Sequence, residues 1–214
     1  MKSIKELTKE EALSLLENAK DGYINSGSSR AVYEVMYESH HCVLKVAADK
    51  QGRFQNDQEM EVWNSTNSCY LARIYASFQN IFLVMEYIEP FNYDLRENVS
   101  DGCLFDYEMD KEDIENIEDY YGYSIESLQL DAAELNDAAE WLTEYVGYTS
   151  DNYQGGRNDD DECKLYDYGY NSGYSNSVQV GDVSSCSDPL QKAKEEVEMG
   201  EPYEDEEWEE EEDD

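Results

Sequence analysis

The chain has 214 residues, enough for one generous domain or two small ones, and carries 52 Asp and Glu against 15 Lys and Arg, a formal net charge of −37. A field of that sign repels nucleic-acid phosphates and anionic membranes and attracts basic surfaces, so direct binding to either is disfavoured, while binding a protein that itself holds nucleic acid is not. The acid is unevenly spread: residues 1–97 hold 10 basic and 15 acidic side chains, net −5, whereas residues 98–214 hold 5 and 37, net −32. The five cysteines are scattered, with no C-x-x-C spacing, which suits reduced thiols in the cytoplasm better than a disulfide framework or a zinc site. Met1–Glu6 is too polar for a signal peptide, and no apolar run approaches membrane-spanning length, so the expected location is cytoplasmic.

Residues 3–20 read as an amphipathic helix, with Ser3 and Glu6 as a capping box and Leu7, Leu13, Leu16 and Ala19 on one side. Residues 23–37 alternate as a hairpin whose bend, Asn25-Ser26-Gly27-Ser28-Ser29-Arg30, can present backbone N–H groups to an anion. His40-His41 falls at the next turn, as a pair of solvated side chains. The run Val43-Leu44-Lys45-Val46 follows, a β-branched strand interrupted by one lysine. An ammonium is rarely buried without a partner, so this strand calls for an anion or a route to solvent.

After the polar stretch Asp49–Gly52, a helix is expected over 55–64. There Glu59, Val62 and Trp63 share a face at i, i+3 and i+4, and Glu61 faces water. Glu59, fourteen residues after Lys45, is therefore the acid expected to meet that lysine within hydrogen-bonding reach. Two more strands, near 72–78 and 81–87, flank Gln79-Asn80, and Pro90 ends the second.

This order of elements resembles the N-terminal lobe of the protein kinase-like superfamily. Gly27 stands where the middle glycine of the Gly-rich loop is found, and Val32 where a valine roofs the base. Val43-Leu44-Lys45 is similar to the V-A-I-K strand, Glu59 to the glutamate of the following helix, and Met85-Glu86-Tyr87-Ile88 to the gatekeeper and hinge. Asn25 and Arg30 replace the first and third glycines of the loop.

In the acidic half, a short helix is expected over 109–119 and a longer one over 127–146, striped by Leu128, Ala132, Leu135, Ala139, Leu142 and Val146 and closed by Gly147. Residues 150–158 read as a loop, and 164–169 as a short strand ending in Asp167-Tyr168-Gly169. That tripeptide resembles the metal-binding D-F-G motif. Asp151, sixteen residues earlier, resembles the catalytic aspartate of a phage-type D-x-H-x-G-N loop. Thr149-Ser150 stand where His-Arg is usual, and Gly156 stands where a metal-binding Asn belongs, with Asn158 as a stand-in. Residues 191–199 could add two helical turns before a block of acid.

The fold class implied is α+β: a two-lobed kinase-like protein with a small antiparallel sheet and one helix in the first lobe, a reduced, mainly helical second lobe, and a disordered acidic tail. The divisions are an N-terminal helix (1–22), a kinase-like lobe (23–90), a reduced acidic lobe (91–189) and the tail (190–214). The resemblance covers roughly residues 20–170. It implies ATP and Mg²⁺ as cofactors, with Gly27, Val32, Lys45, Met85, Glu86, Tyr87 and Ile88 around the nucleotide. Asp167 and Asn158 would hold the metal, and Asp151, Lys45 and Glu59 would serve phosphoryl transfer to protein hydroxyls, in the host cytoplasm if the chain is viral. The alternative is a catalytically impaired, acidic binder or DNA mimic that occupies a basic, nucleic-acid-binding host protein such as a nuclease or restriction factor.

Overall fold

The computed structural model describes residues 3–27, 29–66, 68–91, 115–116, 118–119, 122, 124–146, 154–166, 168 and 188–200. In chain order they form β1 (Lys5–Glu6), α1 (Lys9–Asn18), β2 (Tyr23–Ser26), β3 (Arg30–Tyr37), β4 (His40–Ala47), α2 (Lys50–Thr66), β5 (Ile74–Phe78), β6 (Phe82–Glu86), β7 (Glu89–Pro90), α3 (Ile125–Val146), β8 (Gln154–Arg157), β9 (Cys163–Tyr166) and α4 (Pro189–Met199). The class is α+β. A six-stranded sheet runs β1-β5-β6-β4-β3-β2, and a three-stranded sheet runs β7-β8-β9. No helix among the described residues is long and apolar enough to cross a membrane.

The larger sheet is mixed rather than antiparallel, because β1 pairs in parallel with β5, Lys5 opposite Ala76 and Glu6 opposite Ser77. This strand occupies part of the stretch expected to be helix. Two S/T-x-x-E boxes compete there, and the second wins. Thr8 caps α1 and accepts from the Glu11 N–H, while Glu11 reaches back to the Thr8 N–H at 2.9 Å. Glu6, freed from a helix, accepts from Ser77 Oγ and the Gln79 N–H, both at 3.1 Å.

β4 and β6 are the central strands, and they bury both faces, which is why their sequences run apolar without alternating. Cys42, Leu44 and Val46 of β4, with Phe82 and Val84 of β6, point into one core with Leu15 and Leu16 of α1. Val43, Leu83 and Met85 point into the other, against Val62 and Trp63 of α2 and Leu135 and Ala138 of α3. The period of two therefore sends Lys45 to the α2 side of the sheet. The turn before β4 is Glu38-Ser39, both at positive φ, so His40 and His41 lie on the strand rather than in the bend. Both rings are stacked, His40 on Tyr75 and His41 on Tyr87.

α2 begins at Lys50, five residues before its expected start, because Asp49 caps it and accepts from the Gly52 N–H at 2.8 Å. Gly52 cannot carry a side chain: a Cβ there would lie 2.1 Å from the Ser29 carbonyl oxygen. This close approach brings the head of β3 down onto α2.

Two further elements differ from expectation. Gln154–Arg157, expected as loop, is the middle strand of the small sheet, because the bare backbone of Gly155 and Gly156 fits between neighbours too close for any side chain. The helical turns expected over 191–199 are present as α4, which starts two residues earlier behind the cap Asp188 and, although most of it lies in the segment set apart as a tail, buries Leu190, Ala193 and Val197 in the first core. It is tied down by Arg53 on Glu196 and by Lys194 on Glu17. The stripe on α3 is buried at Leu128 and Leu135, with Ala138 beside it. The side chains of Ala132, Ala139, Leu142 and Val146, most of the helix expected over 109–119, and Gly147 lie outside the description.

Candidate functional site

Lys45 sits in the middle of β4, opposite Val32 on β3 and Leu83 on β6. Its Nζ lies 2.9 Å from Glu59 Oε1 and 3.1 Å from Oε2, and the glutamate is fully buried. Helical spacing puts Glu59 on the same inward face as Val62 and Trp63, while Glu61 is exposed. The pair is thus a product of two periodicities, two residues along β4 and 3.6 along α2.

Glu59 has a second cation. Arg30, the first residue of β3, donates from Nη1 to Glu59 Oε1 at 2.9 Å and to Asn56 Oδ1 at 3.3 Å. Asn56 is itself held, its Nδ2 donating to the Asn80 carbonyl at 2.9 Å. One oxygen of Glu59 therefore receives both Lys45 and Arg30, a buried three-charge cluster with every described partner in hydrogen-bonding geometry. In the sequence Arg30 is marked only by standing where the third glycine of the loop is usual. The available signal was Asn56 and Glu59 at i and i+3 on one face of α2, two polar groups aimed where a cation had to arrive.

The cluster closes one end of a cleft of about 480 Å³. Ile24 and Val32 on the β2–β3 hairpin, Val43 and Met85 on the sheet, Ile88 just after it, and Phe91, Leu135 and Tyr166 make the apolar walls. Ser29, Arg30, Lys45 and Gln55 make the polar end, and Asn25, Ser26 and Gly27 the rim. Gly27 has open space around it: a Cβ would meet nothing closer than the Arg30 carbonyl oxygen at 4.0 Å, and its N–H is engaged to that oxygen at 2.9 Å. Every residue assigned to nucleotide contact in the sequence, Gly27, Val32, Lys45, Met85, Glu86, Tyr87 and Ile88, borders this one cleft.

The end of β6 is held by hydrogen bonds to the Glu86 side chain. Glu86 accepts from the Arg73 N–H at 3.0 Å through Oε2 and from Asn158 Nδ2 at 2.8 Å through Oε1. Asn158 also donates to Glu162 at 3.2 Å and accepts from the N–H groups of Asp160 and Glu162, organising the β8–β9 turn. Its amide is engaged on every side in that turn, and it is not among the residues lining the cleft. His41 packs on the Tyr87 ring at 4.0 Å, and its ring nitrogens meet Glu34 at 3.1 Å and Asp159 of the β8–β9 turn at 3.3 Å.

Asp151 and Asp167 lie outside the described residues. Tyr168, between Asp167 and Gly169, is fully buried in the core beneath α2, and its hydroxyl donates to the Ala72 carbonyl at 2.9 Å. Desolvation, reinforced by the nearby Glu59 and Glu86 charges, holds its phenol well above the usual range. Gly156, five residues after Asp151, lies in the small sheet with no room for a side chain. A Cβ would fall 2.0 Å from the Glu89 carbonyl oxygen and 2.7 Å from Ile88 Cγ2. Among the described residues no group of three or more His, Cys, Asp or Glu side chains is arranged to hold a metal ion.

A scan against protein-family models and a search of curated proteins both return no match for this chain.

Proposed function

We propose that the cleft binds ATP and that the protein is a kinase-like phosphotransferase acting on protein hydroxyls. The observation that carries this reading is the buried Lys45–Glu59 pair, whose lysine borders the polar end of a cleft with largely apolar walls. A base fits walls of Ile24, Val32, Val43 and Met85, and the phosphate end of the same molecule fits a polar end with Lys45 and Arg30. The order of the strands after β1, with a single helix between β4 and β5, supports the same reading.

ATP, when bound, supplies the transferable phosphoryl group. This chain's own contribution is positioning and charge, since phosphoryl transfer needs little covalent help from the protein. Glu59 holds the Lys45 ammonium at one place, so that its charge meets phosphate oxygens. Val32 and Met85 keep water from the base. Asp151 as the group that accepts the hydroxyl proton, and Asp167 as the Mg²⁺ ligand, rest on their resemblance to the family motifs.

A second reading has one observation in its favour. Gly156 has no space for the side chain that a second metal ligand would need, which favours a nucleotide binder without transfer whose acidic half holds a basic protein. Transfer of ³²P from [γ-³²P]ATP to the protein or to a mixed protein substrate, in Mg²⁺, separates the two. The first reading expects incorporation that Lys45→Ala and Asp167→Ala abolish. ATP binding with no incorporation in a homogeneous preparation would select the second.

A further inference from the structure

We infer that α4 is a positioning element for the cleft: through Lys192 and Glu196 it holds the start of α2, and with it Glu59, where Lys45 is met. For its effect on ligand affinity the inference rests on the nucleotide reading above. It adds the residues that set the polar end of the cleft from outside.

Three observations carry it. First, Lys192 and Glu196 stand four residues apart, so they share a face of α4, and both reach the same place. Lys192 Nζ donates to the Ala48 carbonyl at 3.0 Å, and Glu196 accepts from Arg53 Nη2. Ala48 immediately precedes the cap Asp49, and Arg53 lies in the first turn of α2, so α4 grips that helix at its N-terminal end. Second, the grip is a buried one. Glu196 is 4 % exposed, and Leu190, Ala193 and Val197 anchor its helix in the first core. A carboxylate so buried needs a partner, because losing the arginine would leave its charge desolvated. Third, the gripped junction also receives the head of β3. The Ser29 carbonyl accepts from the Ala48 N–H at 2.8 Å and lies where a side chain on Gly52 would stand. Arg30, next in the chain, donates to Asn56 and Glu59, which follow Arg53 by about one and two helical turns.

The distribution of burial along α2 gives α4 this role. The buried apolar side chains of α2, Val62 and Trp63, lie beyond Glu59, whereas before Glu59 the buried residues are Gly52 and Asn56. The second half of the helix is therefore seated by its own packing, and the first half by polar contacts with β3 and α4. A small rotation of that first half would carry Glu59 away from Lys45. Val32 and Met85, which wall the cleft, belong to the sheet and do not depend on the grip. Loosening it affects the anionic end of a nucleotide and spares the base.

The test compares the wild-type full chain with Glu196→Gln and with the exchanged pair Arg53→Glu/Glu196→Arg. Hydrogen–deuterium exchange and acetylation of Lys45, both read by mass spectrometry, are measured without nucleotide, and calorimetric titration follows with ATP and with adenosine. Glu196→Gln keeps the apolar face of α4. It is expected to speed exchange over residues 50–59 while β4 and β6 exchange as in wild type, and to raise Lys45 acetylation several-fold. ATP affinity should fall by about five-fold, the scale of one charge-assisted hydrogen bond, with adenosine affinity unmoved. The exchanged pair should restore the protection of 50–59 and of Lys45. Lys192→Met, which removes the other contact, takes the place of Glu196→Gln if that chain fails to fold, with the same expectations short of rescue. Exchange that rises evenly over the whole chain or not at all, or Lys45 acetylation unchanged in a folded variant, would overturn the inference. A wild-type chain that binds no ATP, with exchange and acetylation responding as expected, would overturn the nucleotide reading and leave the positioning of Glu59 by α4 standing.

Discussion

Replacing Glu59 by Leu removes a carboxylate that two buried cations share. Lys45 loses hydrogen bonds of 2.9 and 3.1 Å and Arg30 one of 2.9 Å, all at a site closed to solvent. Deleting one partner of a buried ion pair typically costs about 3–5 kcal/mol, because the charge left behind stays desolvated. Lys45→Met is a different perturbation. It leaves Glu59 still paired with Arg30 and Asn56 still holding Arg30, so its cost is nearer that of lost charge-assisted hydrogen bonds, about 2 kcal/mol. The ordering is the prediction: Glu59→Leu should be the more damaging by at least about 1 kcal/mol, with its melting point lower than wild type by roughly 10 °C. Urea titration followed by circular dichroism and tryptophan fluorescence measures both, and Trp63, buried one turn beyond Glu59 on α2, reports locally. A Glu59→Leu chain as stable as Lys45→Met, or within about 1 kcal/mol of wild type, would refute the shared-carboxylate account.

Tyr168 supplies a pH prediction. Its phenol is held above the ordinary value of 10.0, so the folded chain keeps a proton that the unfolded chain releases above that pH. The stability it contributes is present below pH 10 and is lost as pH rises beyond it. Tyr168→Phe should be less stable by about 1 kcal/mol at neutral pH, for want of the bond to the Ala72 carbonyl, and the deficit should narrow above about pH 10; a deficit constant from neutral to alkaline pH would count against it. Cys42 is fully buried on β4, and desolvation pushes its thiol up to about 12, whereas Cys69 is exposed. Iodoacetamide at mildly alkaline pH, read by peptide mass spectrometry, should label Cys69 and spare Cys42 in the native chain; equal labelling would contradict the buried strand. Gly27→Ala should leave the melting point unchanged, since a Cβ there meets open space, while Gly52→Ala should destabilise, since its Cβ falls 2.1 Å from the Ser29 carbonyl oxygen. Equal melting points for the two would refute the close approach of β3 to α2.

The parts of the fold that came through in the sequence are those written in a single strong period. The hairpin, the apolar strands on either side of Gln79-Asn80, and the inward face of α2 each follow from local pattern, and Lys45 with Glu59 followed from one charge misplaced in each. What was not legible depended on partners far along the chain. β1 exists because Ser77 and Gln79 offer Glu6 hydrogen bonds, seventy-odd residues away. β8 contains two glycines, which local propensity scores against a strand, and only the approach of Glu89 and Leu135 explains them. α4 was legible as helical turns, but not its docking: Leu190, Ala193 and Val197 find α1 and the back of the sheet far along the chain. Arg30 was the costliest omission at the site. A cation at the mouth of a strand carries no period of its own, and its meaning came from Asn56 and Glu59 waiting on the neighbouring helix. Asn158, by contrast, drew attention by its distance from Asp151, yet its amide is engaged with Glu86, Glu162 and the turn backbone.

The central claim is that the cleft above the Lys45–Glu59 pair takes a nucleotide. Titration of the full chain with ATP, followed by calorimetry and repeated with Lys45→Met after its folding is verified by circular dichroism, tests it most directly. Saturable one-to-one binding to the wild-type chain, weakened by about ten-fold or more in Lys45→Met while adenosine binding is retained, is the predicted result. A folded wild-type chain that takes up no ATP, or one whose ATP affinity is indifferent to Lys45, would contradict it.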